Sequence, residues 1–510
     1  MKFFKKVDKY LVSLIAFYFL LRLINLTIIP IFNDESIYLD WGWRALHLNV
    51  PFYSLYDGKQ PLLMWLFAYM RVFISDPLAA GRFVSVLAGF ISLVGIFFIA
   101  KDFFNEKIAR IAALFYILVP IFSFFDRQAL MESAVAATEI CSIYLFLKLL
   151  KKPSSKRSIA LGVIMGIGFF IKSTILLLIA PVAASYAYFF RFKQDSKSLF
   201  KDLIIALVIS QIILIPLYLQ NLFWENLKMN DRYSLSFGEL TKLPFSTWLN
   251  NLWAFAQISF WQLTPLVFAA TAAGIFIIIR KKDKYQNALV VIFLLQILSL
   301  ILVARNLTPR YVMPMLPLGV IFLSYFLLNI KKWSYPLIAI AIIIPAYLTV
   351  MQITNPIEYF NEFSNFTTYS DKGAYVTNFT AGYASKSAID YINDLNIPAA
   401  FVTIRLDAGN PETAVQIYFR DSTRRAPNYL EARIIANVNN YECLASRFPI
   451  YFVSRDYQLG GLNKFFVEEK RFYNPEKLTS VGVYHQRTNC SPNKTLDLST
   501  PGALLQPVTN

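Results

Sequence analysis

Long apolar runs separated by short basic linkers occupy the first 350 residues of the chain. Most of these runs approach the roughly 20 residues that a helix needs to cross a bilayer. The run PLLMWLFAYMRVFI at 61–74 is shorter and carries Arg71, so it is predicted to be a juxtamembrane helix along the outer leaflet. The pattern predicts eleven membrane-spanning helices, at roughly 10–30, 79–100, 108–125, 130–150, 158–171, 173–190, 200–220, 263–280, 286–304, 311–330 and 333–351.

The pattern changes after residue 351, where polar residues of both charges and ordinary turn residues replace the apolar runs. The segment IDYINDL at 389–395 has a helical pattern, while AAFVTIRL, AVQIYF, IYFVS and SVGVYH have the pattern of strands. The predicted fold class is therefore mainly α. A transmembrane helical bundle at 1–351, with a first outer loop at 31–78, precedes a soluble α/β domain at 352–510.

The charge distribution orients the bundle. The linkers KKPSSKR, RFKQDSK and RKKDK and the pair Lys331-Lys332 carry the Lys/Arg excess, and such linkers stay on the cytoplasmic side. We therefore expect a multi-pass protein of the cell membrane with a cytoplasmic N-terminus and an extracytoplasmic C-terminal domain. A net charge of +17 indicates nucleic-acid binding in a soluble protein. Here the linkers account for the charge, so membrane lipids rather than nucleic acid are the expected partners.

Cysteine and histidine usage adds little chemistry. Cys141 lies in an apolar run, where a small buried side chain is the ordinary role, whereas Cys443 and Cys490 lie in the outer domain, where a disulfide is permitted. Their spacing leaves the bridge open. The two histidines, His47 and His485, show no zinc-ligand spacing, and the chain has no Gly-rich loop followed by Lys-Ser/Thr. That absence argues against a nucleotide-sugar donor bound in the cytoplasm.

Charged residues at the predicted outer ends of the spans are the candidates for chemistry. Cations there can hold a lipid-linked phosphate, and a carboxylate can take a proton from an attacking hydroxyl. The alternatives are structural. One of the acids Asp34 and Glu35 can cap a helix that begins near Ile37, and Lys172 marks either a tight turn or a phosphate contact. The candidate residues are Asp34, Glu35, Lys59, Arg127, Glu132, Lys172 and Arg310.

Five segments, in order along the first 330 residues, resemble motifs of the GT-C glycosyltransferases, closest to the family of protein O-mannosyltransferases and aminoarabinose transferases. NDESIYLDWGWRAL resembles the acidic motif of the first outer loop, and GKQPLLMWL resembles a Lys-Pro-Pro-Leu-Leu element. DRQALMES resembles an Arg-x-x-x-x-acid turn. GVIMGIGFFIKSTILLLIAP resembles a Gly-rich span that ends in Lys, and RYVMPMLPLGVIFL resembles a late Arg-Tyr-x-x-Pro span.

The resemblance implies an enzyme that moves a sugar from a polyprenyl-phosphate donor to a lipid, glycan or protein acceptor. By position, Asp34 would be the catalytic base and Glu132 a second catalytic residue, an acidic one near the acceptor or sugar, with Glu35 near the substrate. Two positions depart from the family pattern. Gln60 replaces the first proline of the Lys-Pro-Pro element, and Glu132 stands where many relatives have aspartate. The resemblance implies donor contacts for Lys59, Arg127, Lys172, Arg310 and Tyr311.

No cofactor is expected, because the phosphate is already a good leaving group that positive charge can stabilise. Related oligosaccharyl enzymes hold a divalent ion between paired acids, so Asp34 with Glu132 leaves that alternative open. A transporter or flippase of a lipid-linked glycan is the second hypothesis, although the chain lacks the repeated halves that transporters typically show. A glycan-binding scaffold is the third, and eleven spans are more than an anchor requires.

Overall fold

The computed structural model describes residues 9–190, 196–395, 401–405, 409–420, 430–435, 443–445, 449–455, 463–487 and 492–497. The chain folds as two compact units. The first comprises Met1–Ile28 and Trp41–Ser370, and the second comprises Ile29–Asp40 and Asp371–Asn510. Residues 352–370, which the sequence pattern assigns to the C-terminal domain, thus lie in the first unit, while residues 29–40 lie in the second.

The predicted mainly helical fold class is confirmed. The α-helices are α1 (Lys9–Leu23), α2 (Asn33–His47), α3 (Leu62–Met70), α4 (Pro77–Phe103), α5 (Glu106–Leu118), α6 (Pro120–Phe125), α7 (Glu132–Lys151), α8 (Ser155–Ile171), α9 (Ile179–Phe190), α10 (Ser196–Tyr218), α11 (Asn221–Glu225), α12 (Phe237–Leu240), α13 (Phe245–Leu263), α14 (Pro265–Lys281), α15 (Lys284–Val303), α16 (Pro309–Val312), α17 (Gly319–Asn329), α18 (Ser334–Thr354), α19 (Pro356–Ser364), α20 (Tyr383–Asp394) and α21 (Glu412–Arg420). Short 3-10 helices at Tyr53–Asp57, Ser173–Leu178 and Leu227–Arg232 flank residues of the candidate site.

Short polar residues start several of the long helices. The Asp76 carboxylate accepts a hydrogen bond from the backbone N–H of Ala79 at 2.7 Å and precedes Pro77, the first residue of α4. Asn105 caps α5 in the same way, accepting from the N–H of Ile108 at 3.0 Å. These caps satisfy donors that the first turn of a helix leaves without partners.

Each of the eleven predicted spans overlaps a helix, but their number is not confirmed. Within the described residues, five helices are long and apolar enough to cross a membrane: α4, α7, α10, α15 and the helical segment Lys331–Thr354. The number rises to seven if each of two bent pairs is one span. The pairs are α13 with α14, which bend by 113°, and Pro309–Met315 with α17, which bend by 59°.

Helix α13 occupies most of the second half of the segment between the predicted spans 200–220 and 263–280. Asn251 on α13 is buried, and its side-chain amide donates to the backbone carbonyls of Ile301 and Ala304 at 3.0 and 2.7 Å. The sharp bend to α14 falls at Thr264, whose φ is +77° and which precedes Pro265. A proline at the first position of α14 starts a new helix without extending the old one.

The second unit contains the predicted α/β domain. Its strands are β1 (Phe401–Arg405), β2 (Leu430–Ile435), β3 (Cys443–Ala445), β4 (Ile450–Arg455), β5 (Phe466–Tyr473), β6 (Ser480–Gln486) and β7 (Pro492–Asp497). Five of them form a sheet in the order β2-β1-β4-β6-β5. β1 is parallel to both β2 and β4, while β6 is antiparallel to β4 and β5. β3 and β7 form a separate parallel pair. Cys490 lies outside the described residues, so the disulfide stays a prediction.

One predicted strand is wrong. AVQIYF at 414–419 lies in helix α21, which connects β1 to β2. Parallel neighbouring strands need a crossover connection, and a helix usually supplies it. Residues Ala414, Val415, Ile417 and Phe419 are all buried, so the run shows neither the alternation of a strand nor the single apolar face of a surface helix. The other three predicted strands correspond to β1, β4 and β6, and IDYINDL lies within α20 except for its last residue.

Candidate active site

A buried carboxylate with two cations forms the centre of the candidate site in the first unit. Glu132 is the first residue of α7, and its side chain is fully buried. Lys172 Nζ donates to Glu132 Oε1 at 2.9 Å, and Arg310 Nε donates to the same oxygen at 3.2 Å. An acid in the first turn also interacts favourably with the positive end of the helix dipole. Three distant segments of the sequence therefore meet at one oxygen atom.

Lys172 lies at a break between α8 and the 3-10 helix Ser173–Leu178. Its backbone is extended, with φ −161° and ψ 135°, and its N–H donates to the carbonyl of Gly168 at 2.9 Å. The break turns the ammonium group onto Glu132, with 18% of the side chain exposed. The sequence leaves a turn and a phosphate contact as alternatives for Lys172. The turn is present, and it places the ammonium group where an anion could also meet it.

The glycine-rich face of α8 brings this helix unusually close to α10. A Cβ at Gly162 would lie 2.4 Å from the carbonyl oxygen of Ala206, and one at Gly166 would lie 2.7 Å from the Cβ of Ile213. Only glycine fits such a close approach. The glycines of GVIMGIGFFIK therefore set the packing of the helix that carries Lys172 at its end.

Lys59 lies in a tight loop before α3. Gly58 adopts φ +69°, and the Ser54 hydroxyl donates to the carbonyl of Lys59 at 2.8 Å. The Lys59 ammonium nitrogen lies 3.9 Å from the ring centroid of Tyr233, within the range of a cation–π interaction. Burial, and then the positive charge of Lys172, lower the pKa of Lys59 to about 8, with Arg310 adding to the effect.

The rings of Tyr233 and Tyr311 lie between Lys59 and Lys172 in a chain of contacts. Tyr311, in α16, places its ring 5.2 Å from Lys172 Nζ and 6.4 Å from the ring of Tyr233. The main chain of Tyr233 is fixed because its carbonyl accepts from the N–H of Arg305 at 3.0 Å. Lys172 and Arg310 thus contact one carboxylate, while Lys59 and Lys172 each lie against one of two neighbouring aromatic rings. This excess of positive charge fits a phosphate group, since ammonium and guanidinium groups form charge-assisted hydrogen bonds to phosphate oxygens.

Arg127 has a different environment from these three cations. Its guanidinium donates to the backbone carbonyls of Leu21, Arg22, Ile24 and Asn25 at 2.7–3.0 Å. Those carbonyls lie at the C-terminal end of α1, where a cation satisfies free acceptors and interacts favourably with the helix dipole. These contacts give Arg127 a helix-capping role, and its proposed contact with phosphate stays a prediction.

Asp34 and Glu35 belong to the second unit, at the start of α2. The helix begins at Asn33 rather than near Ile37, so both acids lie in its first turn and neither is the N-cap residue. Glu35 is fully buried, and its carboxylate accepts from the N–H of Phe32 at 2.9 Å, as an acid three residues into a helix commonly does. Asp34 is partly exposed and accepts from Asn33 Nδ2 at 3.3 Å. The capping role therefore falls to Glu35, while Asp34 is partly exposed.

Two further features of the first unit are a tyrosine with no sequence signal that separates it from ordinary residues and a buried ion pair. Tyr233 is one of 29 tyrosines, and only the fold places it against Lys59. The buried pair of Arg22 with Asp126 joins α1 to the turn after α6, with Arg22 Nε 3.2 Å from Asp126 Oδ2. Within the described ranges, no group of three or more His, Cys, Asp or Glu residues is placed to hold a metal ion.

The chain is similar to known proteins in part of its sequence and in its fold. Residues 58–224 match the Dolichyl-phosphate-mannose-protein mannosyltransferase family, a match that includes Lys59, Arg127, Glu132 and Lys172. No curated protein matches the chain. The family match covers less than half of the sequence, and the fold extends the similarity to the rest of the chain.

The chain has the fold of ArnT from Cupriavidus metallidurans. With the apo structure of that protein the TM-score is 0.61 at 13% identity, covering 93% of this chain and 97% of ArnT. With its structure bound to undecaprenyl phosphate the TM-score is 0.62 at 12% identity, covering 95% and 98%. The Archaeoglobus fulgidus oligosaccharyltransferase in complex with Zn and sulfate gives 0.51 at 12% identity, covering 92% and 72%. The predicted resemblance to GT-C glycosyltransferases is confirmed.

Proposed function

We propose that this protein is a membrane glycosyltransferase that moves a sugar from a polyprenyl-phosphate donor to an acceptor hydroxyl on the extracytoplasmic face. The observation that carries the proposal is the pair of cations Lys172 and Arg310 on the buried carboxylate of Glu132, with Lys59 close enough for both cations to act on its charge. Fixed cations of this kind stabilise the negative charge that develops on a leaving phosphate. The proposal is supported by the family match over 58–224 and by the shared fold with ArnT, which has been crystallised with undecaprenyl phosphate.

The proposed reaction is a single displacement. Asp34 accepts the proton of the acceptor hydroxyl as its oxygen bonds to the anomeric carbon of the sugar. The bond from that carbon to the phosphate oxygen breaks, and the electron pair stays on the polyprenyl phosphate, which gains a negative charge. Lys59, Lys172 and Arg310 hold this phosphate through charge-assisted contacts. Tyr311 packs against Lys172, while Glu132 keeps Lys172 and Arg310 in place.

The proposal assigns the N-terminus to the cytoplasm and the second unit to the extracytoplasmic side. The donor and acceptor then meet outside the cell, where a lipid-linked sugar is the available activated donor. A transporter would move the lipid-linked sugar intact, whereas a transferase breaks the bond between sugar and phosphate.

The test uses purified full-length protein with undecaprenyl-phosphate-linked mannose, glucose or aminoarabinose as donor and a native membrane fraction as acceptor. Release of free undecaprenyl phosphate is measured, because this product does not depend on knowing the acceptor. We expect release by the wild-type protein and a loss of about 10²–10⁴-fold in Asp34→Asn, the range that a general base typically contributes.

The matched control is Asp390→Asn, which removes a carboxylate from an exposed ion pair with Lys386 on α20. This control should retain the wild-type rate. Wild-type release that Asp34→Asn leaves unchanged excludes Asp34 as the base. Transfer of labelled donor across a vesicle membrane without release of undecaprenyl phosphate contradicts the transferase and favours the transporter.

A further inference from the structure

The start of α2 is built into the α/β domain of the second unit. The backbone N–H of Asn33 donates to the carbonyl of Thr380 at 3.0 Å. The side-chain amide of Asn410 donates to the carbonyls of Ile31 and Thr380 at 2.9 and 3.1 Å. Phe32 stacks on Tyr375, with ring centroids 4.4 Å apart. Residues 31–33 therefore behave as part of this domain, although the whole helical bundle separates them from it in sequence.

The contacts concentrate where ligands bind in many open α/β sheets. β1 lies between its parallel neighbours β2 and β4. After β1 the chain forms β2 on one side of it and later forms β4 on the other side, so the direction of strand addition changes at β1. The crevice beyond the carboxyl ends of two such strands is the usual ligand site. Here the segment after β1 contains Gly409 and Asn410, and it accommodates the side chain of Asn33. The backbone N–H of Asn410 donates to Asn33 Oδ1 at 2.9 Å.

Gly409 shows how closely the two segments fit. It adopts φ +97°, and a Cβ at this position would lie 1.8 Å from Asn33 Oδ1. A larger residue would displace the Asn33 side chain. Asn410 is fully buried, so its hydrogen bonds to residues 31 and 380 form away from water, where an unmade bond is costly.

Asn33 also contacts the proposed base. Its Nδ2 donates to Asp34 Oδ1 at 3.3 Å, while its Oδ1 accepts from Asn410. One amide side chain thus joins the domain on one side to the carboxylate of Asp34 on the other. A hydrogen bond of this kind restricts the orientation of the carboxylate, and proton transfer depends on that orientation.

We infer that the C-terminal α/β domain fixes the acidic motif through Asn33, which acts as a positioning residue for Asp34. The inference rests on the proposed function for the role of Asp34, whereas the docking of residues 31–33 on the domain does not. In this role the domain contributes to catalysis by positioning Asp34 and need not bind a ligand itself.

The first arm of the test measures docking and needs no substrate. Deuterium uptake of the peptide that covers residues 31–36 is compared between wild type and Asn410→Ala. This substitution removes the two side-chain hydrogen bonds to the carbonyls of Ile31 and Thr380. We expect faster exchange of the Asn33 amide, with unchanged uptake in α7 and α8. Unchanged uptake in the 31–36 peptide overturns the docking.

The second arm measures positioning. Asn33→Ala removes both side-chain bonds, whereas Asn33→Asp keeps an acceptor for the Asn410 N–H but loses the donor to Asp34. We expect both variants to lower kcat for undecaprenyl phosphate release by about tenfold to a hundredfold, the cost of a small misplacement of a reacting group, with donor KM within about twofold. Tyr391→Phe is the control within the same domain. It removes an exposed hydrogen bond to Glu469, 2.6 Å in length, and should keep the wild-type kcat.

A double-mutant cycle separates this role from general destabilisation. Gly409→Ala strains the backbone at φ +97° in either background, but it should lower kcat more in wild type than in Asn33→Ala, because the displaced side chain is absent from the latter. Equal effects on kcat in the two backgrounds overturn the positioning role. If wild type releases undecaprenyl phosphate and both Asn33 variants match its kcat, the inference fails while the proposed function stands. If wild type releases none, the proposed function and the positioning role fail together, and the exchange arm alone decides the docking.

Discussion

Lys59 in the candidate site loses its charge at a lower pH than an ordinary lysine does. Burial and the neighbouring charge of Lys172 lower its pKa to about 8, so the free protein loses this ammonium charge as the pH rises through that value. A bound phosphate opposes the loss because an anion favours the charged form. The lysine is therefore expected to respond to the donor more strongly than a solvent-exposed lysine does.

We predict that kcat/KM for the donor falls as the pH rises through about 8, since kcat/KM reports groups in the free protein. At saturating donor, kcat should fall only at higher pH. In Lys59→Arg the decrease of kcat/KM should move to higher pH, because a guanidinium stays charged over this range. The measurement is the pH profile of undecaprenyl phosphate release in both proteins. The same alkaline limb in Lys59→Arg would assign the titration to another group.

The sequence predicts some site residues better than others, for a physical reason. Lys172 and Glu132 interrupt apolar runs, and the cost of a charge in a membrane makes them functional candidates from the sequence alone. Arg127 gives the same signal, yet its donors are directed at the carbonyls that end α1. Tyr233 gives no signal, because its role depends on a loop conformation that brings it to Lys59. Residue type indicates that a charge needs partners, but only the fold identifies them.

Among the elements, α8 and α10 form a pair whose spacing depends on the absence of side chains. The carbonyl oxygen of Ala206 on α10 lies so close to Gly162 that a Cβ at this position would be only 2.4 Å from it. Lys172 follows directly after α8, so a shift of this helix also shifts its ammonium group relative to Glu132. Helix packing and the candidate site are therefore coupled through one helix end.

We predict that Gly162→Ala destabilises the protein by about 1–3 kcal/mol, the usual cost of overpacking, and weakens binding of undecaprenyl phosphate. The matched control is Gly238→Ala in α12, where a Cβ would meet no atom within 4 Å. Alanine usually stabilises a helix relative to glycine, by roughly 0.5–1 kcal/mol, so the control should have an unchanged or slightly raised Tm. Thermal unfolding in detergent compares the two variants. A rise in Tm for Gly162→Ala would contradict the close packing of α8 on α10.

Two elements show where hydrophobic patterning reaches its limit. AVQIYF is buried on most sides because α21 is a crossover helix, and a short, mostly apolar run of this kind is compatible with a strand or a helix. α13 contains Asn250 and Asn251 and several aromatic residues, so its hydropathy is lower than that of the long spans. Long periodic runs are predictable from sequence, whereas elements that depend on tertiary partners are not.

On the scale of the whole molecule, the two units do not follow the order of the sequence. Residues 29–40 belong with the C-terminal domain. Residues 356–364 form α19, which packs in the first unit, where the rings of Phe360 and Phe124 meet edge to face with centroids 5.6 Å apart. Hydropathy locates the change from apolar to polar sequence near residue 351, but it cannot detect an early segment that joins a late domain. That exchange follows from specific hydrogen bonds such as those of Asn33.

The orientation of the chain in the membrane gives the last prediction. The charge distribution predicts that the linker RKKDK stays in the cytoplasm, and three predicted spans separate this linker from the C-terminal domain. If all three cross, we expect Lys282 and Lys386 on opposite sides of the membrane. Both residues are described and exposed, so each can be replaced by cysteine in a chain whose three native cysteines are serine.

In intact cells, a membrane-impermeant maleimide should label Lys386→Cys and leave Lys282→Cys unlabelled until the membrane is permeabilised. The physical reason is the cost of moving clustered Lys and Arg side chains across the bilayer, which keeps the linkers on the cytoplasmic side as the apolar runs insert. Labelling of both cysteines from outside requires an even number of crossings between them, so one of the segments 286–304, 311–330 and 333–351 would not span. Labelling of Lys282→Cys alone would invert the topology and place the proposed transfer on the cytoplasmic side, where a polyprenyl-phosphate sugar would no longer be the only activated donor available.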